Sequence, residues 1–396
     1  MSEDAPWSSK RIIDMFCPPL EESGNPVVCY PVAGYPLVVK ASWEPVQEGS
    51  GTPSPENIRP IKGRDSVTVE RCGENLLPFG ERLENIYEQQ IMTSDDLLLL
   101  SKACAGQKVT LTFSVETQNI AFNDAVEVQW RKRIGFECYG TLADGTKTYS
   151  LPCWLDNRDG ELTKNGKKTK TVTVTMPKLA NGDITFYAQN IKSGSFVAYD
   201  FGIYAGTTAP TTYTPYIGQT NTLTLPETVY GGEVDAVSGE GHRTWETVTL
   251  DGTENWGKVT SVQNPYFRAS ILHLGAVALG SLKAKCTAFP LADISGNNNN
   301  NGFNGWNTAL YIRWASLSTV DALKSYLAAQ YAAGTPVQVC YKLATPTPFT
   351  ATGAQPIPAL AGANTILSDA DAVEVTGRAD PIKRITDLED AVASQT

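Results

Sequence analysis

Between residues 107 and 204 apolar side chains recur at every second position, and the period restarts after each turn signal. Gln107-Lys-Val-Thr-Leu-Thr-Phe-Ser-Val115 places Val109, Leu111, Phe113 and Val115 on one face. Ala125 to Trp130 repeats the alternation through Val126, Val128 and Trp130, and Thr169 to Met176 through Val172 and Val174. Ile184–Ala188 and Phe196–Tyr204 add two more short runs. Ala143-Asp-Gly145, Arg158-Asp-Gly160, Asn165-Gly166 and Asn181-Gly-Asp183 separate them. A helix cannot gather a period-two stripe onto one side, whereas a half-buried strand does so automatically. Residues 66–218 are therefore expected to form a β-sandwich or jelly-roll module.

Residues 219–376 read as a second β-rich module. Leu223-Thr-Leu225, Trp245–Leu250 and Trp256–Val262 are strand-like, with Asp251-Gly252 as a turn. One helix is predicted over about 319–333. Ser318 or Thr319 caps it, Val320, Leu323, Leu327 and Tyr331 share a face, and Gly334-Thr-Pro336 ends it. A strand from Thr335 to Leu343 follows. The expected class is mainly β: two β-sandwich or jelly-roll-like modules, an extended N-terminal arm (1–65) and a short C-terminal helix (377–396).

The arm carries Cys17-Pro-Pro19 and Glu48-Gly-Ser-Gly-Thr-Pro-Ser-Pro-Glu56, in which proline removes backbone donors and glycine adds entropy. Trp7, Ile12, Ile13 and Phe16 precede this run as a short apolar stretch that cannot bury itself alone. Docking on a neighbouring protein is favoured, against packing on its own domain. In the tail, Ile382, Ile385, Leu388 and Val392 recur with 3-3-4 spacing over about two heptads. That is too short for a lone helix in water; a parallel oligomer, with a trimer favoured, would stabilise it, the alternative being a helix that caps its own domain.

The chain holds 42 acidic against 32 basic residues, a formal charge of -10. That balance excludes holding nucleic acid or anionic lipid by overall charge. No run approaches the roughly 20 apolar residues of a membrane-spanning helix. The most apolar stretch, Ile271 to Leu282, reads as a buried strand. Met1 to Trp7 lacks the basic-then-apolar pattern of an export signal, so synthesis in a cytoplasm is expected. Eight cysteines without a Cys-x-x-Cys pair, and two histidines, predict no metal centre. No cofactor is expected. Buried free thiols are the favoured state, with Cys17–Cys29 and Cys138–Cys153 as the pairs open to later oxidation.

Catalytic constellations are weak. His242 lies in Gly239-Glu-Gly-His-Arg243, without a Gly-x-Ser-x-Gly elbow or a phosphate loop anywhere. Asp156 and Asp159 beside Trp154 have the make-up of a glycosidase pair or of a calcium loop, but Asp/Asn/Gly clusters form turns for backbone reasons alone. Hence no enzyme is predicted. Sugar binding is better supported, because aromatic faces stack on pyranose C–H groups while neighbouring amides and carboxylates pair with hydroxyls. Two loops have that composition. One offers Trp154, Asp156 and Asn157. The other is Asn297–Asn301 followed by Gly302-Phe-Asn-Gly-Trp-Asn307, and offers Asn299, Phe303, Asn304 and Trp306. Its aromatics either tip a receptor-contacting loop or tuck back beneath it.

Several segments resemble virion minor structural proteins of Firmicutes phages and prophages. They are Trp7-Ser-Ser-Lys-Arg-Ile-Ile-Asp14, Phe16-Cys-Pro-Pro19, Gly34-Tyr-Pro36, Pro53-Ser-Pro-Glu-Asn-Ile-Arg-Pro-Ile-Lys-Gly63 and Val67-Thr-Val-Glu-Arg-Cys-Gly-Glu-Asn-Leu-Leu77. Tyr213–Gln219, Leu223–Pro226, Tyr230–Asp235, Leu250–Trp256 and Val337–Pro346 continue the likeness. It implies a tail fibre or baseplate component on the particle surface, contacting other virion proteins through the arm and a host glycan or protein receptor through the β modules. Within the module expected over 66–218, the segment 78–212 resembles the carbohydrate-binding-type jelly rolls inserted in phage fibres. A head-attached fibre or capsid decoration protein, and a polysaccharide depolymerase tail spike, are the alternatives.

Overall fold

The alternating segments, 125–130 excepted, become strands of a β-sandwich. The computed structural model describes residues 17, 19–271, 284–294, 298–306, 308–383 and 385–386. Mainly β throughout, the chain divides into two units, each built from separated stretches of sequence. Unit 1 comprises the described residues within 1–41, 68–221 and 355–396, and unit 2 those within 42–67 and 222–354.

Unit 1 holds two four-stranded antiparallel sheets. One runs Lys147–Asp156, Arg133–Leu142, Leu179–Gln189, Glu88–Met92; the other runs Gly166–Thr175, Lys108–Phe122, Ile191–Ala205, Leu83–Glu84. Val109, Leu111, Phe113 and Val115 all lie in the core between them. Phe201 sits at its centre. Its ring centroid is 5.5 Å from Phe79, 6.0 Å from Phe113, 6.1 Å from Phe136 and 5.7 Å from Phe186, mostly edge to face. Just before Phe201 the strand register slips between Tyr199 and Gly202, and Asp200 takes a left-handed φ of 56°. Buried Asn75 satisfies the backbone there. Its Nδ2 donates to Phe201 O (3.0 Å) and Thr214 O (3.1 Å), while its Oδ1 accepts from Leu77 N (3.0 Å) and Ile203 N (3.1 Å).

A helix, Ser94–Cys104, interrupts what sequence alone presents as strands. Thr93 caps it by accepting from Asp96 N, and Asp95 and Asp96 favour its N-terminal dipole. Leu97 and Leu100 are buried, worth roughly 1.5–3 kcal/mol each. Ser101 ties the helix to the start of strand Leu179–Gln189, donating to Pro177 O at 2.8 Å and accepting from Leu179 N at 2.9 Å.

The expected arm is corrected from Pro19 onward. Pro19–Gly24 pairs antiparallel with Ala372–Arg378, and Val27–Cys29 with Asn364–Ser368. Asn25 fastens the two ends of the chain, donating to Ser368 O (2.8 Å) and Ala370 O (3.0 Å) and accepting from Ser368 N (3.1 Å). Leu20, Val27, Cys29, Leu37 and Val39 are core residues. The Gly/Pro-rich run 48–56 belongs to unit 2 as a closed loop whose carbonyls surround one guanidinium. Arg59 donates to Glu48 O (2.8 Å), Gly49 O (2.9 Å) and Gly51 O. Proline and glycine there shape a turn around a cation rather than prevent structure. Trp7, Ile12, Ile13 and Phe16 lie outside the described residues.

In unit 2, Glu240–Leu250 pairs with Gly232–Asp235 and Val337–Thr350, and the latter with Ala284–Cys286. A second sheet runs Gly257–Val259, Tyr266–Ser270, Ala309–Arg313, Gly302–Trp306. The helix is Val320–Ala332, capped by Thr319, whose Oγ1 accepts from Ala322 N at 3.1 Å. Leu323 and Leu327 enter the core, but Tyr331 is exposed, so the apolar face is one turn shorter than its spacing suggests. The module expected over 219–376 also ends earlier, because Gln355 onward returns to unit 1. The stretch Ile271–Leu282 lies outside the described residues beyond Ile271.

All eight cysteines are free, and seven are buried. Burial pushes the thiols of Cys29, Cys104, Cys138, Cys153, Cys286 and Cys340 up to about 12. Thiolate, the reactive form, is therefore scarce at neutral pH. Native alkylation with iodoacetamide at pH 8 is expected to label Cys17 alone, with the others reacting only in urea. Mass spectrometry showing a second fast-labelled cysteine would contradict this burial.

Candidate aromatic cleft on the outer face of unit 1

Strand Arg133–Leu142 alternates between core and surface. Ile134, Phe136 and Cys138 are fully buried inward, so Arg133, Gly135 and Glu137 belong to the outer face. Register places Arg133 beside Asp156 and Gln189, Gly135 beside Trp154 and Tyr187, and Glu137 beside Thr185. Gly135 is needed for this approach, since a Cβ there would overlap the Cys153 carbonyl and the Trp154 backbone.

A cleft of about 430 Å³ opens on this face, within the roughly 300–1,000 Å³ of small-ligand sites. Trp130 and Trp154 line it with Arg131, Arg133, Glu137, Gln189 and Asn190. The Arg133 guanidinium lies 4.0 Å over the Trp154 ring. Its Nε donates to Gln189 Oε1 at 2.9 Å and its Nη2 to Glu137 Oε1 at 3.0 Å. Glu137 is only 4% exposed, and its Oε2 is buried without a hydrogen-bond partner. Burial raises the Glu137 carboxyl above the usual carboxylate range, and Arg133 pulls it back down.

Trp130 stands out as the accessible aromatic, 47% exposed. It does not belong to the strand expected over 125–130. Asn123 turns the chain instead, its Oδ1 accepting from Ala125 N at 3.1 Å and its carbonyl from Val126 N at 3.2 Å. Gln129–Arg131 then forms a single 3₁₀ turn that projects the indole. Asn190, with a left-handed φ of 62°, locks this turn by donating to Arg131 O at 2.6 Å.

Of the residues expected from sequence, Trp154 lines the cleft, with Arg133 over one of its faces. Asp156 is engaged elsewhere: Arg158 Nε and Nη2 donate to its carboxylate at 2.7–3.0 Å and hold it below its ordinary value. Asn157 packs against the 3₁₀ turn, its N–H donating to Lys132 O at 3.0 Å. The second loop divides. Asn299 is exposed, Asn304 is half-buried, and Phe303 is wholly buried in the unit 2 core, which corrects its place at a receptor-contacting tip. Trp306 enters as a strand residue, its backbone paired opposite Ala309. Arg313 staples the asparagine run by donating to Asn298 O at 2.6 Å and Pro265 O at 3.1 Å. Among the described residues no cluster of three or more His, Cys, Asp or Glu suits a metal ion.

No protein-family model matches the chain, and no curated protein matches it. Among solved structures it is similar to the N-terminal CBM22-1-CBM22-2 tandem domain of Paenibacillus barcinonensis Xyn10C, at 8% identity and a TM-score of 0.21, covering 86% of this chain and 98% of that one. The structure of infectious bursal disease virus Gt strain aligns at 6% identity and a TM-score of 0.14, covering 92% and 81%. Both alignments are too loose to place the chain in either fold family.

Arg133, Glu137 and Gln189 are not among the residues expected from sequence, and Trp130 enters there only as a strand residue. A signal exists in Arg133-Ile-Gly-Phe-Glu-Cys138, where charged side chains alternate with core ones. Nothing local marks Gln189 as the third member.

Proposed function

We propose that this chain is a phage attachment protein, borne on the tail, that holds the host cell through surface glycan bound in the Trp130–Trp154 cleft. The observation that carries the glycan reading is an exposed indole beside fixed donors. A pyranose stacks on Trp130 while the Arg133 guanidinium, set by Glu137 and Gln189, offers its remaining N–H groups to sugar oxygens. Placement on a virion rests on the resemblance of short segments within 7–77 and 213–256 and of residues 337–346. With 19–65 built into the chain's own fold, anchoring falls to the segment carrying Trp7, Ile12, Ile13 and Phe16. Ile382 and Ile385 are 74% and 56% exposed at a helical turn begun by Asp380, whose Oδ1 accepts from Ile382 N. In this reading they join Leu388 and Val392 in a parallel trimer, and three weak sites act together. Engagement of Asp156 by Arg158 favours binding over glycan cleavage.

Trp130→Ala is expected to lower binding to protein-stripped Firmicutes cell walls at least tenfold, with an unchanged melting temperature. Equal retention of variant and wild type in a sedimentation assay would remove the cleft from attachment.

A further inference from the structure

Charge in the cleft does not balance. Two guanidinium groups, of Arg131 and Arg133, line it against one carboxylate, that of Glu137. Arg133 and Glu137 cancel each other at 3.0 Å, with side chains 11% and 5% exposed. Asp156, which stands opposite Arg133 across the strands, is already held by Arg158 at 2.7 Å. One positive charge is left over, on Arg131. This residue is exposed, and its guanidinium lies 5.2 Å from the centre of the Trp130 ring. Among the described residues no carboxylate pairs with it. The 3₁₀ turn Gln129–Arg131 presents both side chains together, and Asn190 fixes that turn at Arg131 O. Arg133 contributes donors without net charge. Its Nε and Nη2 are engaged, and its Nη1 has no partner among the described residues.

We infer that the cleft takes an acidic glycan, one carrying carboxylate or phosphate groups, and that Arg131 selects it. This rests on the glycan reading above. A sugar stacked on Trp130 brings its substituents beside the one uncancelled cation of the cleft. Guanidinium grips carboxylate or phosphate oxygens through paired N–H groups, and such bonds are roughly twice as strong as those to neutral hydroxyls. The chain's net charge of -10 opposes this weakly, because exposed charges farther away than about 8 Å are screened at physiological salt. Arg131→Gln keeps an N–H donor at this position while removing the charge, and Arg131→Lys keeps the charge.

The test follows tryptophan fluorescence of the full chain titrated with hexagalacturonate and hexamannuronate, with phosphorylated mannopentaose, and with neutral cellohexaose, mannohexaose and chitohexaose. At least one acidic oligosaccharide is expected to bind wild type tenfold or more tightly than any neutral one. Most of that advantage should vanish between about 50 mM and about 500 mM NaCl, as screening shortens the reach of an exposed cation. Arg131→Gln should lower the ratio of acidic to neutral affinity about tenfold, and Arg131→Lys should retain most of it. Preference for uronates alone would assign the anion as carboxylate, and for the phosphorylated sugar alone as phosphate; either supports the inference. Neutral hexamers matching the acidic ones on wild type, or a ratio unchanged in Arg131→Gln, would overturn it and leave glycan binding intact. Binding of neither class would overturn the glycan reading itself, and this inference with it.

Discussion

Phe201→Ala is expected to cost about 3–5 kcal/mol of stability in unit 1, in the range for deleting a fully buried aromatic ring. Phe201 is 1% exposed and meets four other phenylalanines from both sheets and the segment before them. Two losses add. The ring's transfer free energy goes, and the cavity left behind is walled by strands whose hydrogen bonds hold them apart. Asn75 makes relaxation harder, since it clamps the Phe201 carbonyl and the Ile203 amide. The readout is native-state hydrogen exchange of amides in Lys108–Phe122 and Arg133–Leu142. Protection should fall roughly 150- to 5,000-fold at one decade per about 1.4 kcal/mol. A fall below tenfold would show that this cluster does not hold the sandwich together.

The stripe of Val109, Leu111, Phe113 and Val115 was legible in the sequence because each member's environment is set by its own strand. Elements defined by distant partners were not. Asn25 bonds a residue 343 positions away, so a proline-dotted leader looks unpartnered until the C-terminal strands are in place. The helix Ser94–Cys104 was hidden because Leu97 to Leu100 is an unbroken apolar run without period, and only its cap residues mark it. Val126, Val128 and Trp130 mislead in the opposite sense. They alternate, but Asn123 bends the chain and leaves Val128 and Trp130 exposed. The cleft was half visible, since Trp154 stands in a polar loop-like sequence. Its polar floor joins Arg133 to Gln189 across 56 residues, which no local pattern reports.

Arg133→Met should expose the cost of that floor. Met approximates the stacked length of the side chain over Trp154 but leaves Glu137 charged, buried and without its cation. Breaking a buried pair from one side costs roughly 3–5 kcal/mol. The low end, about 3 kcal/mol, is expected because the cleft admits water, with the Arg133 side chain 11% and that of Glu137 5% exposed. The deficit should depend on pH, and its sign follows from Glu137. Burial already raises this carboxyl, and removing Arg133 takes away the influence that lowers it, so it rises further. A carboxyl raised in the folded state favours folding when protonated, below its unfolded value, and that contribution is lost as pH rises through the folded value. The variant should therefore approach wild-type stability near pH ~4, where an ordinary glutamate takes up its proton. It should lose ground steadily toward neutrality. Adding Glu137→Leu should restore most of the loss at pH 7, because a well-packed apolar pair replaces an orphaned anion. Urea midpoints across this range decide the matter. A deficit of constant size at every pH, unrelieved by the second substitution, would mean that Arg133 contributes by packing on Trp154 at 4.0 Å and that Glu137 carries no uncompensated charge.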